Sequence, residues 1–553
     1  MMSATMPPVM TETTRCQDCA RCLRACPVAA ISMSGGHARI RPEACIACGR
    51  CVTACPTGSQ RIRDDLPRVQ AWCAAGPVVA SLAPSWPAAF PGVAPAQMAT
   101  ALRGLGFRHA SPTAVGARSV SAAMDVLATD APHRLWLSSA CPAVTAWVRR
   151  HRPALVPALA PVASPAAVHA RMLHRVLPGC RVVLIAPCIA KKLEADEGPD
   201  LAAALTFADL DRWFGAAGVD PRTIVADIDA AWLLGSGGAG ESYAHEGGMA
   251  ATLARPAVAC SDIATLDRWL AGADPERAGT VVEALACAGG CIHGPGMHGD
   301  GGILVRRARV QAARDPSPIE PQSPVPTGAA WRAAAEPVAE IGEREVAAAL
   351  ATLGKRTKED ELDCGACGYD TCRGLARAIT LGRAESDQCV AWMRRLAQRK
   401  ANALLEAMPA GAVLVDHDLR IIEANRRFAE LVGHGGPLTG LALGEVAPIV
   451  HPFRHVLDGL GDLVERDLRV GERVLHGSVF TIDPGRVVGA VLVDRTVPAM
   501  SRAQVAQRAG EALAKHLTAV QQIAWLLGEN AAEVETLLGS IVDAYRSPDG
   551  DDA

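Results

Sequence analysis

Two runs of cysteine open the chain. Cys16, Cys19, Cys22 and Cys26 are followed by Pro27, and Cys45, Cys48, Cys51 and Cys55 by Pro56, so each run reads C-x2-C-x2-C-x3-C-P. Soft thiolates suit iron, and two-residue spacing lets one tight loop supply three corners of a cubane. In the two-cluster form of this pattern the fourth cysteine of each run crosses to the other cluster. The expected ligand sets are therefore Cys16, Cys19, Cys22 and Cys55 for one [4Fe-4S] cluster, and Cys45, Cys48, Cys51 and Cys26 for the other. A zinc site would not explain two copies of the run, each closed by proline.

Three more cysteine loops follow apolar or glycine-rich stretches. Ser138-Ser139-Ala140-Cys141-Pro142 comes after Leu135–Leu137, and Ala186-Pro187-Cys188 after Val182–Ile185. Cys287-Ala288-Gly289-Gly290-Cys291 precedes His293-Gly294-Pro295-Gly296. Ligands of open α/β sheets gather beyond the carboxyl ends of strands, so the first two loops are expected to converge there. Glycines at 289 and 290 would let backbone approach a bulky cluster. A last group, Cys364, Cys367, Cys372 and Cys389, has the spacing C-x2-C-x4-C-x16-C. It suits a further [4Fe-4S] cluster, with structural zinc as the alternative. Cys73, Cys180 and Cys260 match no pattern and read as buried structural residues.

The elements that must hold these loops divide as follows. The chain has 553 residues, too many for one core. The expected order is a two-cluster domain over 1–66, an α/β domain over 67–315, a linker over 316–357 and a four-cysteine domain over 358–397. A domain of short strands over 398–497 and a helical output or dimerisation segment over 498–553 complete it. The fold class is thus multidomain, α+β and α/β. Candidate strands are Val78–Leu82, Leu135–Leu137 and Val182–Ala186, and the Pro- and Ser-rich stretch 312–327 reads as a linker. The proline-rich stretch 69–102 is uncharged and reads as a buried strand followed by a loop, not a membrane span. Leu513, Leu517, Val520, Ile523 and Leu527 are spaced like a heptad, and Asn530 with Glu533 reads as the cap of a final helix. A net charge of −3 and an aromatic content of 4% leave no footprint for nucleic acid or an anionic membrane. Nineteen cysteines without a secretory leader point to metal thiolates in a reducing, cytoplasmic setting.

The three middle loops resemble the cluster-binding motifs of the [FeFe]-hydrogenase family, and the first two runs resemble the ferredoxin module that commonly precedes that domain. The resemblance covers residues 1 to about 310. It implies that Cys141, Cys188, Cys287 and Cys291 hold the cubane of an H-cluster, with Cys291 bridging to a [2Fe] subsite carrying CO, cyanide and a bridging dithiolate. It further implies that Lys191 hydrogen-bonds one cyanide, that Pro84 and Ser85 line the pocket with Ser85 near the other, and that Glu194 and Glu283 stand at acidic positions of the family. Met408–Asp416 with Leu419–Asn425 and Phe428 resembles the opening of a PAS domain. His417, His434, His451 and His455 could hold haem there, though lone histidines are more often surface residues. Cys364–Cys372 resembles four-cysteine cluster modules of redox enzymes.

The departures from the family pattern carry as much as the matches. The position of the proton-relay cysteine is Ala140, whose methyl group cannot pass a proton. Residues 117–123 carry no carboxylate where catalytic members have relay glutamates, and Ala186 and Leu285 replace pocket methionines. Losing positioned proton transfer typically costs about two to four orders of magnitude in rate. The resemblance extends to the sensory, PAS-containing group of the family, which also replaces the relay cysteine. It implies slow chemistry on H2 and protons, electron exchange with a partner such as ferredoxin, a signalling kinase or phosphatase downstream, and pairing through the PAS domain and tail. The alternatives are a catalytic, ferredoxin-linked hydrogenase with PAS regulation, or a non-catalytic iron–sulfur carrier or scaffold.

Overall fold

The computed structural model describes residues 6–227, 231–235, 237–272, 279–314, 324–335 and 341–496, with a few positions between 511 and 518. The chain divides into two units, 1–389 and 390–553. The heptad positions and the Asn530 cap lie outside the described residues.

In the first unit, Val78–Leu82 and Arg181–Ile185 are the inner strands of a four-stranded parallel sheet flanked by His109–Pro112 and Ala203–Leu205. Every residue of Val78–Leu82 is buried. That is what a parallel strand covered on both faces requires, and it explains an apolar run without alternation. A three-stranded parallel sheet places Val281–Leu285 between Ala257–Ser261 and Trp136–Leu137. The stretch read as a strand and loop is instead a strand flanked by helices Leu66–Ala75, Trp86–Ala89 and Pro95–Gly104. Pro67, Pro87 and Pro95 sit in the first turns of these helices, where no intrahelical N–H is needed. They start helices rather than break them.

The N-terminal module packs helices Arg21–Ala25 and Arg50–Ala54 together beside the hairpin Ile31–Ser34/His37–Ile40. Its Leu23, Ile31, Met33 and Ile46 share one core with Leu137, Val144, Trp147 and Ile189 of the α/β domain. Asp65 receives the buried Lys192 ammonium at 2.9 Å, and Arg63 reaches Asp196 at 2.7 Å. Within the stretch read as a linker, helix Glu343–Thr352 packs on Cys372–Thr380 through Val346, Leu350 and Ala376.

In the second unit helix Val390–Ala407 precedes a five-stranded antiparallel sheet. The spatial order is Ile421–Ala424, Gly411–Asp416, Val487–Asp494, Arg473–Asp483 and Leu463–Val470. Phe428, Phe453 and Leu475 fill its core. Asn425 caps the following helix by accepting from Phe428 N at 2.9 Å and donates to Leu405 O and Ala410 O.

Candidate active-site pocket and cysteine centres

Five strands run out toward one cavity of about 90 Å3. Val78–Leu82 leads to Pro84 and Ser85, His109–Pro112 to Thr113, and Arg181–Ile185 to Cys188, all of which line it. From the second sheet, Trp136–Leu137 leads to Ala140 and Cys141, while Val281–Leu285 supplies Glu283 and Leu285. Cys141 opens helix Pro142–His151, and Cys188 lies two residues before helix Ala190–Glu197. Burial and the neighbouring Cys141 thiolate push the Cys188 thiol up to about 11. Cys291 is raised by burial and then by Cys188 and Cys141, and Cys287 by burial and then by Cys188, Cys141 and Cys291. Four thiols thus crowd one site, and Cys188, Cys287 and Cys291 do not ionise cheaply alone, as expected of ligands that lose their protons to a metal.

Ser85 is fully buried and its Oγ has no protein partner. Such an orphan costs about 1–3 kcal/mol unless something accepts its hydrogen bond. Lys191 Nζ, also on the pocket wall, donates to Ser164 Oγ at 2.9 Å and to Glu194 Oε2 at 2.5 Å. The donor set fits a cubane, and the Ser85 hydroxyl with the Lys191 ammonium fits an adjoining group rich in acceptors. Ala140 presents only a methyl group to the same cavity. Opposite in character is Glu283, buried and accepting the Ala250 amide at 2.9 Å. Desolvation outweighs its backbone hydrogen bonds and raises its carboxyl to about 7. Tyr243 lines the cavity too, its phenol 2.9 Å from Ser121 Oγ, which lies 2.7 Å from Thr252 Oγ1. Nothing in the spacing of the sequence pointed to Tyr243. The Gly289–Gly290 pair faces protein: a Cβ on Gly290 would meet Glu246 N at 2.6 Å and one on Gly289 the Ile303 side chain. The close approach there is between chain segments, not between backbone and cluster.

In the N-terminal module Cys26 lies against the second run. Burial raises Cys51, followed by Cys48, Cys45, Cys26 and Cys22, and burial with Cys26 and Cys45 lifts Cys48 to about 12 despite the Arg50 amide. Cys22 is raised to about 11 by burial and by Cys16 and Cys19. Cys55 is different. Burial opposes its thiolate, but the Ser59 and Thr57 hydroxyls and nearby amides hold it at about 6. In the last group burial raises Cys367, beside Cys389 and Cys364, while Cys372 starts its helix and its amide donates to Asp363 Oδ1 at 2.6 Å. In the second unit His417 and His451 are exposed, which leaves both outside the core where haem would sit.

Residues 76–270 match the family model described as the iron-only hydrogenase large subunit, C-terminal domain. Residues 15–59 match a 4Fe-4S dicluster domain, 360–391 an Fe-S cluster family and 399–467 a PAS domain. Over residues 76–270 the chain is thus hydrogenase-like. Among solved structures it is similar to [FeFe]-hydrogenase HydA1 from Chlamydomonas reinhardtii, at 17% identity over 45% of this chain and 88% of that one, with a TM-score of 0.37. HydA(deltaEFG), described for stepwise H-cluster assembly, shares 18% identity over the same fractions at a TM-score of 0.36. The PAS domain of an HTR-like protein from Haloarcula marismortui is 20% identical, covering 18% of this chain and 98% of that one, at a TM-score of 0.16. No curated protein matches the chain. The protein therefore combines a hydrogenase-like domain, iron–sulfur domains and a PAS domain.

Proposed function

We propose that the protein is a sensory [FeFe]-hydrogenase that reads H2 or redox state and passes it through iron–sulfur centres toward the PAS domain. In this reading Cys141, Cys188, Cys287 and Cys291 hold the cubane of an H-cluster. The diiron group beside it supplies the redox chemistry of H2 when bound. Lys191, fixed by Glu194 and Ser164, and Ser85, with its free hydroxyl, orient that group by donating to its acceptors. The cysteines of residues 16–55 and 364–389 hold three further cubanes, with Cys26 completing the set of Cys45, Cys48 and Cys51. The observation that carries the reading is Ala140 on the pocket wall in a chain that also bears a PAS domain. The electron carriers are supplied, but the residue next to Cys141 cannot relay a proton. The protein loaded with the diiron group is expected to show infrared bands of iron-bound CO and cyanide and to evolve H2 slowly. Turnover as fast as in catalytic members of the family refutes the sensor.

One observation favours a second reading, a catalytic hydrogenase with PAS regulation. Glu283, near neutrality in pKa and on the same wall, can hold and release a proton without Ala140. The Ala140→Cys and Glu283→Gln variants separate the two. Rescue of rate by the cysteine marks a crippled relay, whereas loss of rate only with the glutamine marks a working carboxyl route.

A further inference from the structure

Where the N-terminal module, the α/β domain and the last cysteine group meet, arginines from all three line a second cavity, of about 310 Å3. Arg41 directly follows strand His37–Ile40, and Arg150 lies in the last turn of helix Pro142–His151. Arg377 and Arg383 come from helix Cys372–Thr380 and the turn beyond it. The Arg41 and Arg150 side chains are largely buried, at 19% and 14% exposure. Arg150 is fixed there: its Nη1 donates to the Pro42 carbonyl at 3.1 Å and to that of Cys45, and its Nη2 to Glu197 at 3.1 Å. Arg377 is half-exposed and donates to Glu343 at 3.3 Å. Glu43, 3.9 Å from Arg41, is the one carboxylate among the described lining residues.

Positive charge therefore accumulates in the cavity, and its neighbours register it. Burial, followed by Arg152, Arg150 and Arg41, holds His151 below the usual histidine range, against the Ala44 carbonyl that its Nε2 meets at 2.8 Å. Burial raises the Tyr369 phenol, while Arg41 and Arg383 pull it down. Guanidinium forks match the oxygens of phosphate. Arginines arriving from three directions call for more acceptors and more negative charge than a single carboxylate brings. The volume lies at the lower end for small-ligand sites. Val28, Ala29 and Leu381 add an apolar wall against which an attached ring can lie.

We propose that this cavity binds a diphosphate-bearing anion, with the charged groups on the arginines and any attached ring on the apolar wall. Such a ligand would also act on the nearest cluster. Arg41 lies within reach of the Cys26 thiol and Arg150 of the Cys45 thiol, and both thiols belong to one cubane in the reading above. Cations beside a cluster favour its reduced, more negative state. An anion between these two arginines offsets them and lowers the cluster's potential. By reciprocity the anion is then held less tightly once the cluster is reduced. The coupling rests on the cubane reading, but the binding does not.

The test is anaerobic titration calorimetry of the full-length protein reconstituted with iron and sulfide, using inorganic pyrophosphate and ADP. Both are expected to bind the oxidised protein. Tighter ADP assigns the ligand to a nucleotide and equal affinities to a free diphosphate, and either supports the site. Arg377→Ala/Arg383→Ala should weaken both by about tenfold or more, with iron content and melting temperature unchanged. Arg41→Gln, from the opposite module, should do the same, which decides the matter if the double variant does not fold. Binding by neither ligand at millimolar concentration, or binding that these variants leave intact, overturns the site. After photoreduction the affinity should fall several-fold. Equal affinity in both states, with the reduced clusters visible by electron paramagnetic resonance, overturns the coupling. Failure of the cubane reading shows separately, as protein that takes up no reducible iron.

Discussion

At position 140 a methyl group faces the pocket, and in the proposed reading it stands where a proton relay would be needed. Ala140→Cys is expected to raise the turnover of the loaded enzyme by about 10²–10⁴-fold if proton transfer limits it, measured as H2 evolution with a chemical reductant. Glu283 offers a separate test, in stability. Its carboxyl is raised from 4.5 to about 7 in the fold, so between those values the folded chain binds the extra proton. The stabilising contribution is complete below the unfolded value and lost as pH rises through the folded one, an effect on the order of 3 kcal/mol. Melting temperature should therefore fall across this interval in the unmodified protein and flatten in Glu283→Gln. An unchanged slope in the variant assigns the titration to other groups.

Among the elements, helix Ala190–Glu197 carries Lys191 toward the pocket and Lys192 toward the N-terminal module. Lys192 is fully buried between Asp65, the Ala204 carbonyl at 3.0 Å and Asp209. Removing one partner of a buried pair leaves the other charge stranded, so Lys192→Ala should cost about 3–5 kcal/mol, read from chemical denaturation of the first unit. Asn425→Ala in the PAS sheet strands the Ala412 and Phe428 amides and the Leu405 carbonyl. About 1–3 kcal/mol should be lost there, seen as a lower melting midpoint of the second unit. The strands preceding Cys141 and Cys188 were legible because parallel strands buried on both faces read as unbroken apolar runs. The cysteine groups were legible because thiol spacing is set by cluster size. Less was visible elsewhere. Helix Pro95–Gly104 hid behind its own proline, and Tyr243 and Lys192 act through partners more than 100 residues away, which local spacing does not encode.

At the scale of the whole molecule the two units own separate cores. Heating is expected to give two transitions, and stripping iron under anaerobic conditions should lower only the one belonging to residues 1–389. A scanning calorimeter would show both, and a shift of the second transition on iron removal would contradict this. Refilling the sites should also release protons, since Cys188, Cys287 and Cys291 are held protonated by burial.

The core shared by Leu23, Ile31 and Met33 with Leu137, Trp147 and Ile189 has a consequence for synthesis. The N-terminal module leaves the ribosome before the partners that share its core, whose last fully buried member, Ala286, directly follows strand Val281–Leu285. At about 5–20 residues per second the wait for that strand is roughly 10–40 s. During that interval the sides of Cys22, Cys48 and Cys51 that pack in the shared core are not yet covered. The order of translation thus opens a period in which clusters can be delivered to the nascent module, and closure of the shared core ends it.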